Sequence, residues 1–223
     1  VALRRRERQT PPQCSSKHKG PAVIVTLVDY GGGNLASVGR ALERLGAASR
    51  RSRSPESIEH AEALLLPGVG HFAALIRSLD ERGLREPLCA AIRRGVPFMG
   101  ICLGLQALYE LSEEAPDVPG LNILDGPVRE LPADVKLPHM GWNRVKKLRE
   151  SAALRGVPDN AYFYFAHSYA ADGADPRVVA TSDHGVSFAA AIERENVWAV
   201  QFHPEKSAAT GATVLQNFLN FAQ

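Results

Sequence analysis

Apolar positions along the chain follow two different patterns. From Pro21 the run Val23-Ile24-Val25-Thr26-Leu27-Val28 is apolar without alternation and ends in Asp29-Tyr30 and three glycines. That pattern predicts a strand buried on both faces and running into a tight loop. Leu35, Val38, Leu42 and Leu45 then recur at helical spacing, with Asn34 placed to cap the helix and Gly46 to end it. A second helix is predicted around 56–62, and Ala63-Leu64-Leu65-Leu66 reads as a short buried strand stopped by Pro67. Helices near 71–81 and 84–94, a strand from Val96 to Ile101 and a helix from Leu103 to about Leu111 complete the first half. Strand alternating with helix predicts a parallel sheet covered on both faces, an α/β fold. In the second half, Gly- and Pro-punctuated strands near 127–131, 143–148, 161–166, 177–181, 187–193 and 197–202 predict an antiparallel extension. Leu215, Phe218, Leu219 and Ala222 make a closing amphipathic helix, and no repeat or second-domain boundary interrupts 21–223.

Composition narrows the class without changing this picture. With 223 residues, 45% hydrophobic and 22% charged, the chain has enough apolar content for one sizeable core. A chain of this length buries roughly 70–75% of the surface its unfolded form exposes, so it needs neither disulfides nor a structural metal to fold. No run approaches a membrane span, and the basic start lacks the apolar core of a secretory signal. The formal charge of +2 is unevenly divided: residues 1–20 hold six basic side chains against Glu7, a formal +5, which leaves the body at −3. With Pro11, Pro12, Ser15, Ser16 and Gly20 and almost no apolar content, residues 1–20 read as a disordered basic extension. A solvated tail is the simplest reading of it; an arm for RNA or an acidic surface and an organelle address are the alternatives. The three cysteines, at 14, 89 and 102, form no C-x-x-C pair and no disulfide framework, which points to a reducing cytoplasm.

Candidate chemistry centres on Gly100-Ile101-Cys102-Leu103-Gly104, which puts Cys102 at a strand-to-helix turn within G-x-C-x-G. This is the cysteine counterpart of a nucleophile elbow, in which flanking glycines let the backbone segments pass without Cβ atoms. The helix that follows favours thiolate over thiol, and its first free amide, that of Leu103, is available to a developing oxyanion. A buried structural cysteine is the competing reading, and it is the one that suits Cys89 in its helical apolar pattern. A matching base tips the balance for Cys102: the strand Ala199–Phe202 ends in His203-Pro204-Glu205, where two-residue spacing lets a carboxylate approach the imidazole. A cysteine nucleophile needs a base, and the base needs an orienting partner; Cys102, His203 and Glu205 supply all three.

GICLGLQ at 100–106 and QFHPEKS at 201–207 resemble the class I (triad) glutamine amidotransferases. The resemblance is closest to the glutaminase subunits of imidazole glycerol phosphate synthase. VDYGGGNL at 28–35, LPGVG at 66–70, PHMGWN at 138–143 and YFYFAHSY at 162–169 carry that narrower likeness. Relatives in the class generally have another loop in place of PGVG and end the histidine motif in HPES without the lysine. The glutaminases of anthranilate synthase, GMP synthetase and pyridoxal phosphate synthase therefore fit less well. The likeness runs from about residue 23 to the C-terminus and implies a flavodoxin-like three-layer fold.

It also implies a chemistry: Cys102 attacks the side-chain amide of glutamine, His203 protonates the departing ammonia, and water then hydrolyses the glutamyl thioester, with Glu205 orienting His203. Leu103 and Val69 would build the oxyanion hole, with Gly68 and Gly70 letting the Val69 peptide reorient. Gly68, Gln106, Ser168 and Tyr169 would contact substrate; a solvent-facing helix glutamine is the alternative for Gln106. No cofactor or metal is implied. The implied partner is a separate (β/α)8 barrel cyclase, forming a heterodimer, which uses the ammonia to convert the ribonucleotide PRFAR into imidazole glycerol phosphate and AICAR in histidine biosynthesis. His139, Met140, Trp142 and Asn143 match an interface segment, with Asn34 at the same rim and Trp142 either an exposed anchor or a core residue. The Gly31-Gly32-Gly33 turn lacks the lysine and spacing of a phosphate loop and reads as a tight loop at that rim. Two other functions remain in view, a glutaminase serving another synthase and a catalytically silent glutamine-binding subunit.

Overall fold

The computed structural model describes residues 23–223; the basic extension expected over residues 1–20 lies outside the described residues. In chain order the first half runs β1 (Val25–Val28), α1 (Leu35–Arg44), β2 (Ser49–Ser52), α2 (Pro55–Glu59), β3 (Ala63–Gly68), α3 (Phe72–Glu81), α4 (Arg85–Arg93), β4 (Phe98–Cys102) and α5 (Leu103–Gln106). The second half runs β5 (Tyr109–Ser112), β6 (Leu124–Glu130), β7 (His139–Lys147), β8 (Ala161–His167), β9 (Tyr169–Ala171), β10 (Val178–Asp183), β11 (Ser187–Arg194), β12 (Val197–Val200) and α6 (Ala208–Phe221). Nine strands form one sheet in the order β2-β1-β3-β4-β12-β11-β10-β7-β8, and β5, β6 and β9 form a small second sheet. Pairing is parallel from β2 to β12 and antiparallel from β12 to β8. The expected parallel core with an antiparallel extension is therefore the observed topology. β1, β3, β4 and β12 are buried along their whole length, as strands covered on both faces must be. Two apolar clusters fill the two faces, one around Leu27, Met99, Trp198 and Phe218 and the other around Leu64, Phe72, Phe98 and Leu105.

Four local expectations differ from what forms. β3 continues through Pro67 to Gly68. Leu64 N donates to Pro97 O beside β4, so by alternation the nitrogen of Pro67 faces β1, whose pairing has already ended at Leu65; no ladder bond is lost. The helix from Leu103 stops at Gln106 instead of Leu111, and Tyr109–Ser112 becomes a strand. The amides of Gly120, Leu121 and Ile123 donate back to the carbonyls of Glu110, Ala107 and Leu108, which a continuing helix would have used itself. β2, with Arg50 and Arg51 exposed, is a charged edge strand that an apolar pattern does not reveal. Asn34 sits at the N-cap of α1, yet its side chain makes no capping hydrogen bond; its carbonyl accepts from Ser37 and Val38. Among the described residues no helix is long and apolar enough to cross a membrane.

Candidate active site

Strand register brings three C-terminal strand ends together. Val200 pairs with Ile101, and Gly68 with Cys102. The residues just past β3, β4 and β12 thus meet at one edge of the sheet, where parallel α/β sheets hold ligands. β4 turns into α5 at Cys102, whose φ of 55° and ψ of −109° are unfavourable for an L-residue. Holding such a conformation costs about 1–3 kcal/mol. Glycines make it possible: a Cβ on Gly100 would stand 2.7 Å from the Gly104 carbonyl oxygen, and one on Gly104 would overlap the Leu66 carbonyl. Since α5 is a single turn, the expected support from a helix dipole reduces to that of its first free amides.

His203 and Glu205 lie across from the elbow in the turn after β12. The His203 Nδ1 stands 3.0 Å from Glu205 Oε1, and both side chains are buried. The second carboxylate oxygen, Oε2, is buried without a partner, so the charge of Glu205 is directed at the imidazole. Burial alone would push His203 down; hydrogen bonds to Cys102 and Glu205 outweigh it and raise it to about 9. The backbone of His203 is fixed on both sides, its N–H donating to Tyr164 O at 2.8 Å and its carbonyl accepting from Ser207 Oγ at 2.7 Å. Ser207 Oγ in turn accepts from Tyr164 N, so β8 and the histidine turn are bound into one unit.

Cys102, Leu103 and His203 open on a cavity of about 280 Å³, near the lower limit for small-molecule sites. Gln106, Ser168, Tyr169, Val69 and Gly70 also line it, while Gly68 does not. Gly68 instead lies against the elbow, where a Cβ would come within 2.6 Å of Leu103 Cβ. Gln106 is buried, not solvent-facing: its Nε2 donates to Tyr169 O at 2.7 Å and to Gln201 Oε1 at 3.1 Å. Leu103 begins α5 at the cavity wall, whereas the Val69 amide donates to the Tyr30 hydroxyl at 3.3 Å. In this conformation the two expected oxyanion donors are therefore not equivalent.

On the neighbouring surface, Trp142 is exposed and meets Tyr164 edge to face at 6.3 Å; it is not a core residue. Strand alternation puts Met140 and Arg144 beside it, also exposed. Asn34 is half-buried. His139, expected at the same interface, is buried instead. Its Nδ1 lies 3.1 Å from His167 Nε2, and Asn143 Nδ2 lies 3.1 Å from its Nε2. His167 Nδ1 lies 2.9 Å from Tyr169 O, so this chain of contacts ends on the same carbonyl that Gln106 holds.

Residues 26–221 match the family model described as glutamine amidotransferase class-I. The imidazole glycerol phosphate synthase subunit HisH of Methanothermobacter thermautotrophicus is 46% identical over 196 residues, 88% of this chain and 98% of that protein. The subunit of the same name from Moorella thermoacetica is 47% identical over 195 residues, 87% of this chain and 93% of its own length. The chain belongs to the HisH family of class-I glutamine amidotransferases. A solved structure described as a glutamine amidotransferase superposes with a TM-score of 0.71 at 21% identity, covering 89% of this chain and 98% of that one, a likeness of fold.

Several residues of this HisH-family cavity escaped the sequence reading. Gln201, fully buried, donates from Nε2 to Cys102 Sγ at 3.6 Å and accepts from Gln106, so it ties the sulfur to the Ser168–Tyr169 segment. The signal was present: a buried amide directly before Phe202 and His203 interrupts an apolar strand. Glu114 and Lys206 bring one negative and one positive charge to the cavity wall, and Glu114 also accepts from Phe72 N at 2.7 Å. They are 92 positions apart, and only the fold joins them. Among the described residues no group of three or more His, Cys, Asp or Glu is arranged to hold a metal ion.

Proposed function

We propose that this chain is the glutaminase subunit of an imidazole glycerol phosphate synthase, hydrolysing glutamine to glutamate and ammonia for a separate subunit that uses the ammonia. The observation that carries the reading is Cys102 on a strained elbow beside a buried, Glu205-oriented His203, at a cavity whose wall also carries Glu114 and Lys206. Opposite charges suit a zwitterionic amino acid, Glu114 toward the α-ammonium and Lys206 toward the α-carboxylate, with the Ser168–Tyr169 backbone completing the grip.

Cys102 Sγ attacks the side-chain carbonyl carbon of glutamine, and the oxygen becomes an oxyanion facing the Leu103 amide. The carbon–nitrogen bond then breaks as His203 gives its proton to the nitrogen, which leaves as ammonia. An amide nitrogen is a poor leaving group until protonated, and such acid catalysis contributes roughly 10²–10⁴-fold. Water next attacks the thioester, His203 takes its proton, the carbon–sulfur bond breaks, and glutamate leaves with Cys102 restored as the thiolate. A second oxyanion donor, the Val69 amide, is worth about 2.7–4 kcal/mol of barrier once it turns toward the cavity.

Ammonia released to water is protonated and loses its nucleophilicity, so a receiving subunit is part of the reading. We assign that role to a (β/α)8 barrel cyclase that converts PRFAR to imidazole glycerol phosphate and AICAR, docked over the face of Met140, Trp142 and Asn34. A reducing cytoplasm suits a free Cys102. The test measures glutamine hydrolysis by the chain alone and with the cyclase and PRFAR. Strong stimulation is expected, together with loss of glutamine-dependent turnover in Cys102→Ala while cyclisation from added ammonium salt survives. Absence of stimulation, or loss of both activities in Cys102→Ala, would overturn the reading.

A further inference from the structure

The protons on His139, His167 and Asn143 can be placed one by one. β8 and β9 belong to different sheets, and Ser168 alone joins them, at the cavity wall. His167, the last residue of β8, reaches across that corner, its Nδ1 lying 2.9 Å from Tyr169 O. A carbonyl only accepts, so this nitrogen carries a proton, and Nε2 of the neutral ring carries none. Burial lowers His139 to about 4 and His167 to about 3, so both rings are neutral at neutral pH. His167 Nε2 therefore accepts from His139 Nδ1 at 3.1 Å, its register partner on β7, which leaves His139 Nε2 to accept from Asn143 Nδ2 at 3.1 Å. The far end demands the same arrangement. Asn143 Oδ1 accepts from Arg144 N at 2.7 Å, and Nδ2 gives its other proton to Asp183 O at 2.8 Å. Two backbone carbonyls thus fix, from opposite ends, one placement of the three protons between them.

We propose that His167 is a positioning residue for glutamine, held as the Nδ1–H tautomer by His139 and Asn143 so that it locks the Ser168 corner against which the amino-acid end of the substrate rests. The inference rests on the glutaminase reading and deepens it by naming what holds the substrate-binding backbone in place. Tyr169 O accepts from His167 Nδ1 and from Gln106 Nε2, which occupies both of its lone pairs and makes this carbonyl a brace for the corner. His167 also lines the cavity, but both its nitrogens are committed to protein, so it offers substrate only carbon. Cys102 and His203 are held by other groups, Gln201, Tyr164 and Ser207. Loss of the brace therefore acts on glutamine binding and not on the chemical step.

The test compares wild type, His167→Phe and His167→Asn, each in complex with the cyclase and its ribonucleotide. Phe keeps a ring between Phe165 and Phe188 and removes the donor, whereas Asn keeps an amide N–H at the place of Nδ1. His167→Phe is expected to raise KM for glutamine about 3- to 10-fold, the range set by loss of one hydrogen bond, with kcat unchanged. His167→Asn is expected to bring KM back toward the wild-type value. Nitrogen NMR of the wild-type chain with labelled histidine is expected to show His167 protonated on Nδ1; this spectrum decides even where His167→Phe does not fold. An Nε2–H tautomer, a KM raised as far in His167→Asn as in His167→Phe, or a fall in kcat at constant KM would overturn the positioning role alone. Equal glutamine turnover by Cys102→Ala and wild type would overturn the glutaminase reading, and a role in placing glutamine with it.

Discussion

The two sides of the cavity are built to different standards. On the β4 and β12 side, Cys102, His203 and Glu205 are almost completely buried, the His203 backbone is bonded through both its N–H and its carbonyl, and Gln201 braces the sulfur. On the β3 side, the loop after Gly68 leaves Val69 exposed, with its amide held by a single long bond to Tyr30. Strain explains part of the contrast: a backbone forced to a φ of 55° at Cys102 persists only where its surroundings over-determine it. A glycine-flanked loop carries no such requirement. A fully packed sulfur, imidazole and carboxylate thus face a loop whose backbone amide is held by one contact.

This contrast can be broken from the rigid side. Glu205→Gln keeps the shape of the side chain but removes the carboxylate charge that steadies the His203 imidazolium, and should lower kcat about 10²–10⁴-fold in the stimulated complex. A loss smaller than tenfold would mean that Glu205 does not orient the base. Trp142→Ala should weaken binding of the cyclase about 30-fold, as removal of an exposed aromatic anchor does, with partner-free hydrolysis unchanged. Titration calorimetry reads the first effect and the glutaminase assay the second; unchanged affinity would move the interface elsewhere. Gln201→Met removes the donor to Cys102 and the acceptor for Gln106, and should cost about tenfold in kcat, the scale of one or two buried hydrogen bonds.

The smallest expected effect concerns pH, and it divides by region. His203 is raised to about 9, so its stabilising contribution is complete below the ordinary value near 6.5 and is lost as pH rises toward 9. Burial, with His184 beside it, lowers His139 to about 4, and burial, with His139 next, lowers His167 to about 3. Those two contribute stability that is complete above 6.5 and is lost as pH falls below it. The urea midpoint should therefore peak near pH 6.5 and decline on both sides. His167→Asn should flatten the acid side only, and a flat profile would mean that these imidazoles are solvated.

Legibility in the sequence follows the range of the contacts involved. Cys102 with its glycines, and His203 with Glu205, lie within five-residue windows, so the chemistry of each is written locally. The distances that complete the site are not local: Gln106 and Gln201 are separated by 95 positions, Tyr30 and Val69 by 39. Only the register of β1, β3, β4 and β12 brings them together. A proline within a strand, such as Pro67 in β3, is not legible locally, because its cost depends on which neighbour its nitrogen faces. Past Gln106 the pattern of Leu103, Leu108 and Leu111 suits either period until the 120–124 segment claims the carbonyls of Ala107, Leu108 and Glu110. His139 matched an interface motif, but β7 alternation turns it inward while Met140 and Trp142 face out.

The central claim is that glutamine passes through a covalent bond to Cys102. Rapid acid quench of the cyclase complex during turnover, followed by peptide mapping, tests it directly. A glutamyl adduct on the peptide carrying Cys102, forming before glutamate is released and absent in Cys102→Ala, is the expected result. Glutamate release with Cys102 unmodified at every time point would contradict the account.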